Sequence, residues 1–158
     1  MKENNGPADS IIMMKFGGTS VRNEESRASA IKHIRKRAES GKQVVVVVSA
    51  MGREGEPYAT DTLISLLKDI GEPVNPAELD TVMSLGETLS SAYFSHLLSQ
   101  NDLPAEAFTG QQAGILTDDN PGNAEILEIN PVRIRTTLNA GKIAVVAGFQ
   151  GATSAGDV

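Results

Sequence analysis

The residues of this chain that are best suited to chemistry form one short run, Lys15-Phe16-Gly17-Gly18-Thr19-Ser20. Two glycines remove the Cβ atoms that would keep an anion away from backbone N–H groups. The lysine adds a mobile positive charge, and the two hydroxyls add hydrogen-bond donors. The run is therefore suited to binding a polyphosphate. Its spacing is not that of a P-loop, and glycines at the end of a strand are more often only a turn.

Local structure on both sides favours the phosphate interpretation. The apolar stretch 11–14 comes directly before the run and predicts a buried β-strand. A helix is predicted to begin near Asn23 or Glu24, so its positive end faces the same place.

Other polar residues give weaker signals when they are taken alone. Glu87 follows Gly86 inside an otherwise apolar helical segment, and most such residues are solvated helix carboxylates. Ser49 follows a predicted strand and is equally explained as a helix cap or a turn residue.

No residue is predicted to bind a metal. His33 and His96 have no partner at metal-ligand spacing and are predicted to lie at helix surfaces. The run Asp118-Asp119-Asn120 precedes Pro and Gly and is more simply a turn.

Strand and helix signals alternate along the chain. Strands are predicted at 11–15, 44–48, 105–108 and 143–147, and helices at about 24–40, 60–70, 76–100 and 131–139. Thr60 or Asp61 is expected to cap the second helix, and Phe149 is expected to pack in the core. The loop at 109–123 and the residues after it contain short extended pieces at 114–117 and 126–129. The apolar positions of the third helix are predicted to be Leu79, Val82, Met83, Leu89, Tyr93 and Leu97.

Alternation of this kind predicts right-handed crossovers and a largely parallel sheet. Ligands of such sheets bind beyond the carboxyl ends of the strands. The segments 15–20, 49–52 and 148–151 each follow a predicted strand. We therefore expect these three segments to meet in one crevice.

Composition limits the class of protein. The 158 residues suffice for one domain with a core, and the chain has no cysteine, which fits a reducing cytoplasm. A net charge of −6 argues against a nucleic-acid partner, and no apolar run approaches the ~20 residues of a membrane helix. Residues 1–10 are polar and are predicted to form a disordered leader without a signal peptide.

Four motifs, in order, resemble aspartate kinases of the amino-acid kinase family. They are K-F-G-G-T-S at 15–20, V-V-V-V-V-S-A-M-G at 44–52 with Thr60-Asp61, S-L-G-E-T-L-S at 84–90, and V-V-A-G-F-Q-G at 145–151. The Gly- and Pro-containing stretch between Ser49 and Thr60 resembles the bacterial diaminopimelate-sensitive type. The resemblance implies an α/β/α sandwich with a mostly parallel sheet.

The resemblance also implies a reaction and roles for residues. The reaction is transfer of the γ-phosphoryl group of ATP to the β-carboxylate of L-aspartate, with Mg²⁺ on the phosphates, in the cytoplasmic synthesis of lysine, threonine, methionine and diaminopimelate. Lys15 would be catalytic, and the ATP-binding residues would be Lys15, Phe16, Gly17, Gly18, Thr19 and Ser20. The substrate-binding residues would be Ser49, Thr60 and Glu87.

The resemblance covers the amino-terminal part of such a domain. Aspartate kinases continue with a G-R-G-G-S-D segment, a nucleoside pocket and, in most members, ACT domains. Residues 11–158 are therefore expected to be a truncated catalytic domain, inactive alone, that forms a homo-oligomer or associates with a carboxy-terminal half. The alternatives are a non-catalytic binding or assembly module of the same fold and another amino-acid kinase.

Overall fold

The computed structural model describes residues 10–158, so the predicted leader lies outside the described residues except for Ser10. The strands are β1 (Ile11–Phe16), β2 (Gln43–Val48), β3 (Ala105–Phe108), β4 (Ile115–Thr117), β5 (Ile126–Ile129) and β6 (Ile143–Ala147). The helices are α1 (Glu24–Glu39), α2 (Thr60–Lys68), α3 (Pro76–Ser99) and α4 (Val132–Asn139), and a 3₁₀ turn covers Gly18–Ser20. Each predicted strand and helix is present, within about two residues at its ends.

Local sequence explains where several elements begin and end. The side chain of Asn23 caps α1 by accepting a hydrogen bond from the Ser26 N–H, at 2.9 Å. Gly41 follows α1 with φ of 76°, a conformation that glycine adopts without strain. The expected cap of α2 is wrong, because α2 begins at Thr60 and is preceded by Ala59, which makes no side-chain cap bond.

The main sheet is parallel and has the strand order β1-β2-β6-β3. The two central strands are the most apolar, and all five residues of β6 are buried, as expected for strands covered on both faces. Strands β4 and β5 form a separate antiparallel pair. The parallel α/β prediction is confirmed.

Helices cover both faces of the main sheet and complete the α/β/α sandwich. On one face, Ile34 of α1 and Phe94 and Leu98 of α3 pack against β2 and β6 in one core cluster. On the other face, Ile134 and Leu138 of α4 pack in a second cluster with residues of β2, β3 and β6. The core lies between these layers.

The apolar positions of α3 are not all on its buried face. Leu89 and Tyr93 are exposed. The buried side chains of α3 include Phe94, Leu98 and three serines, Ser90, Ser91 and Ser95. Small side chains let α3 approach the sheet closely, and this outweighs the apolar character of the opposite face.

Strand β1 lies at one edge of the sheet, and one of its faces is not covered by the described residues. Ile11 and Met13 on that face are 43% and 69% exposed. In residues 10–158, no helix is long and apolar enough to cross a membrane.

Candidate active site

Lys15 is the penultimate residue of β1 and lies at the carboxyl edge of the sheet. Lys15 is exposed, whereas the next residue, Phe16, turns toward the core and packs against Phe94 with ring centroids 6.1 Å apart. Alternation along the strand therefore aims the two side chains at opposite faces. Thr19 and Ser20, in the 3₁₀ turn, are exposed.

The two glycines of this loop have different surroundings. A Cβ on Gly17 would meet nothing within 4 Å, so this backbone is open to a ligand. A Cβ on Gly18 would lie 2.5 Å from the carbonyl oxygen of Ala50, and the Gly18 carbonyl accepts a hydrogen bond from the Gly52 N–H, at 3.4 Å. Gly18 therefore lets the loops after β1 and β2 pack together, and the anion-binding role of the two glycines stays a prediction.

The loop after β2 contacts α3 through Glu87. The Ala50 N–H donates to Glu87 Oε1 at 3.2 Å, and Glu87 is only 6% exposed. Burial raises the pKa of the Glu87 carboxyl, although the N–H groups of Ala50 and of Glu87 itself act in the opposite direction. Within residues 10–158, no lysine, arginine or histidine forms an ion pair with it. The solvated-carboxylate interpretation is wrong, and Glu87 is a buried carboxyl group that forms no ion pair within the described residues.

The loop after β6 carries Phe149 and Gln150. Phe149 has φ of 59° and is 81% exposed, so the expected core packing is wrong. Its ring lies 4.4 Å from the Lys15 ammonium nitrogen, measured to the ring centroid. The Gln150 side-chain amide donates to the Ser84 carbonyl at 3.1 Å and accepts from the Gly110 N–H at 3.2 Å. Gln150 thereby joins this loop to α3 and to the loop after β3.

One cavity of about 810 Å³ gathers the predicted substrate residues. Ser49, Thr60 and Glu87 all line it, together with the loop after β6. Lys15 stands at its edge through the contact with Phe149. The segments after β2 and β6 therefore meet in one crevice, whereas none of residues 15–20 lines it, so the expected convergence of all three segments is only partly confirmed.

Thr19 and Ser20 do not line this cavity. They line a second cavity of about 560 Å³, together with Phe16 and residues of α1 that include His33. The structure thus separates the hydroxyls of the first loop from Ser49, Thr60 and Glu87. His33 and His96 are both exposed, as predicted.

Comparison with known proteins shows the family to which the chain belongs. The profile described as the amino acid kinase family matches residues 10–158. The chain belongs to this family.

The relatives that the chain matches include aspartokinases. It is 50% identical to aspartokinase 1 of Bacillus subtilis over 147 residues, which are 93% of this chain and 36% of the relative. It is 41% identical to the aspartokinase of Geobacillus stearothermophilus, over 94% of this chain and 35% of that one. The chain thus spans about a third of the length of these relatives.

Solved aspartokinase structures have the same fold. The aspartate kinase from Synechocystis gives a TM-score of 0.71 at 38% identity, over 90% of this chain and 22% of that chain. Aspartokinase III of Escherichia coli, solved with aspartate and ADP, gives a TM-score of 0.71 at 22% identity, over 94% of this chain and 42% of that chain. The second likeness supports the fold alone.

Sequence reasoning missed several residues of this amino acid kinase cavity. Asp80, Met83 and Ser84 of α3 line it, and so does the hairpin of β4 and β5, through Ile115, Thr117, Gly122, Asn123, Ala124 and Ile126. Asp80 Oδ2 accepts a hydrogen bond from the Gly122 N–H at 2.6 Å, which joins the hairpin to α3. Asp80 lies two helical turns before Glu87, and this spacing was the available signal.

The run after β4 forms a turn, as predicted. Asp118 Oδ1 accepts a hydrogen bond from the Glu125 N–H at 2.8 Å, and the Asn120 side-chain amide donates to the Asn123 carbonyl at 3.1 Å. These bonds close the connection between β4 and β5.

We expect Gly110→Ala to destabilise this site. A Cβ on Gly110 would lie 2.1 Å from the Gln150 carbonyl oxygen, which is backbone and cannot rotate away. The loops after β3 and β6 would have to separate, and overpacking of this kind costs about 1–3 kcal/mol. Thermal unfolding measures the loss. Gly17→Ala, whose Cβ would meet nothing within 4 Å, is the matched control and should unfold within about 0.5 kcal/mol of the parent. Equal stability of Gly110→Ala and the parent would contradict the observed packing.

Proposed function

We propose that this chain forms part of the active site of an aspartate kinase. The reaction is transfer of the γ-phosphoryl group of ATP to the β-carboxylate of L-aspartate, which yields 4-phospho-L-aspartate and ADP. The observation that carries the proposal is the buried Glu87, which forms no ion pair within residues 10–158 and lines the cavity whose Phe149 contacts Lys15. The aspartokinase relatives support the choice of substrates, as does the E. coli aspartokinase III structure with aspartate and ADP.

Glu87 is suited to hold the α-ammonium group of aspartate. Its carboxylate lines the cavity and has been removed from most of its water. An ammonium group would supply the missing positive charge through a charge-assisted hydrogen bond. The hydroxyls of Ser49 and Thr60 line the same cavity and would offer polar contacts to the rest of the amino acid.

Lys15 is suited to stabilise the phosphoryl group in transit. The aspartate carboxylate is already ionised at neutral pH, since its ordinary pKa is near ~3.9, so no general base is required. Its oxygen attacks the γ-phosphorus, the bond to the bridging oxygen breaks, and ADP leaves with that electron pair. Lys15 would neutralise charge on the transferring group, and the open backbone at Gly17 would admit the phosphates.

Mg²⁺ would accompany the nucleotide. Residues 10–158 hold no cluster of three or more His, Cys, Asp or Glu side chains that could bind a metal ion. Phosphate oxygens are the natural ligands of the ion.

A trapping assay tests the proposed activity. The assembled enzyme is this chain joined to the part of the Bacillus subtilis relative beyond the matched region. Incubated with ATP, Mg²⁺ and hydroxylamine, it should form a hydroxamate with L-aspartate, because hydroxylamine captures acyl phosphates. N-acetyl-L-aspartate, which lacks the ammonium group, is the control and should react far more slowly. Nucleotide binding without hydroxamate would favour a non-catalytic module, and faster reaction with another amino acid would favour another amino-acid kinase.

Residues 1–158 alone are expected to be inactive and to associate. The chain spans about a third of its relatives, and apolar side chains stand exposed on β1 and along α3, where Leu85, Leu89 and Tyr93 lie one turn apart. Purified 1–158 should consume no ATP in response to aspartate and should bind ATP weakly. Sedimentation should show that 1–158 self-associates or binds the complementary segment. Adding the complementary segment should also restore some activity in the kinase assay. Robust turnover by a monomer of 1–158 would contradict this expectation.

A further inference from the structure

Phe149 has an unusual conformation for a large side chain. It lies in the left-handed backbone region, with φ of 59°, where a residue with a Cβ is strained. The ring gains little from burial, because 81% of the residue is exposed. Neither backbone preference nor the hydrophobic effect therefore explains a phenylalanine at this position.

The described contact of the ring is with Lys15. The ammonium nitrogen lies 4.4 Å from the ring centroid, well within the range of a cation–π interaction. Among residues 10–158, Lys15 forms no ion pair with a carboxylate. The ring of Phe149 is thus the group that orders a long and otherwise flexible cation.

The ring of Phe149 lies on a loop that borders the cavity and is anchored by hydrogen bonds. Phe149 lines the cavity of Ser49, Thr60 and Glu87, and it follows the buried strand β6. The backbone of the same loop is held, since the Gly148 N–H donates to the Val48 carbonyl at 2.8 Å and Gln150 is bonded to Ser84. A ring on an anchored loop therefore keeps the ammonium at the cavity edge.

We propose that Phe149 is a positioning residue that pre-orders the Lys15 ammonium for phosphoryl transfer, a role that rests on the proposed kinase function. Ordering a flexible cation before the substrates arrive lowers the entropy lost when the cation meets the phosphoryl group. A carboxylate in place of the ring would hold the lysine more strongly and would compete with the phosphate. The face of a phenyl ring attracts the cation weakly enough to release it.

Nuclear magnetic resonance of the 1–158 chain tests the contact without any need for activity. In a sample with ¹³C-labelled lysine, ring current should shift the Lys15 ε-methylene protons upfield. Phe149→Leu should remove the shift and Phe149→Tyr should keep it. Since Phe149 is exposed, all three chains should unfold at the same temperature. An unshifted Lys15 signal in the parent overturns the proposal.

A double-mutant cycle in the assembled enzyme tests the role. Phe149→Leu should lower kcat about two- to fivefold, the size expected of an exposed cation–π contact, and should leave KM for aspartate unchanged. Phe149→Tyr should restore kcat. In a Lys15→Ala background, Phe149→Leu should have no further effect. Tyr58→Leu is the control, because Tyr58 is an exposed aromatic residue that lines neither cavity, and its loss should leave kcat unchanged.

The outcomes separate this inference from the proposed function. An assembled enzyme that phosphorylates no aspartate overturns the proposed function and the positioning role with it. An active enzyme in which Phe149→Leu lowers kcat equally with and without Lys15 overturns the positioning role alone. A higher KM for aspartate with an unchanged kcat also overturns the positioning role, since it would place Phe149 in substrate binding.

Discussion

Lys15→Ala is expected to lower turnover of the assembled enzyme by about 10²- to 10³-fold, the usual cost of losing one pre-ordered charge in such a site. The side chain is exposed at the end of β1 and forms no ion pair within residues 10–158. Its removal therefore leaves the core intact, and the melting temperature should not change. The measurement is the initial rate at saturating ATP and aspartate.

Two further variants sharpen this test. Lys15→Arg should recover only part of the rate, because a planar fork replaces a compact charge. Lys32→Ala removes an exposed lysine from α1, away from both cavity linings, and should leave the rate unchanged. Near-normal turnover of Lys15→Ala would remove Lys15 from the mechanism.

Glu87→Gln is expected to weaken binding of aspartate by about one to two powers of ten and to change ATP binding little. The substitution keeps the shape of the side chain and removes its charge. A hydrogen bond between an ammonium group and a buried carboxylate contributes roughly 1.5–3 kcal/mol, which corresponds to that factor. Dissociation constants for the two substrates, measured separately by calorimetry, check the prediction.

The pH dependence of folding stability gives an independent test of the burial of Glu87. Burial raises the pKa of Glu87 in the folded chain above its unfolded value. Between those two values the folded state holds a proton that the unfolded state has released, so stability falls as pH rises through that range. Glu87→Gln should remove this loss and should unfold at neutral pH no more easily than the parent.

The control variant for Glu87→Gln changes another glutamate of α3. Glu78→Gln removes an exposed carboxylate in the first turn of α3 and should leave aspartate binding unchanged. Equal losses of aspartate and ATP affinity in Glu87→Gln, or a lower melting temperature alone, would assign Glu87 a purely structural role.

Local sequence determined most of the elements and their direction. Five consecutive valines predict a central strand, because a run that is apolar on both faces must be buried on both faces. Gly41 and Pro76 mark helix ends, because each of these residue types favours a backbone conformation found at such ends. Alternation of strands and helices then predicts a parallel sheet. The carboxyl edge of that sheet could be named as the candidate site before any contact was known.

Tertiary structure decided which faces meet and what surrounds each site residue. Helix α3 has apolar residues on more than one face, so periodicity alone does not show which face is buried. Close packing buries Ser90 and Ser91, whereas Leu89 and Tyr93 stay exposed. The buried Glu87 accepts a hydrogen bond from the N–H of Ala50, which lies 37 positions away in the chain. The contact of Phe149 with Lys15 spans most of the chain. Distances of this kind depend on the strand order β1-β2-β6-β3, and no local pattern specifies it, because every parallel order satisfies the same local preferences.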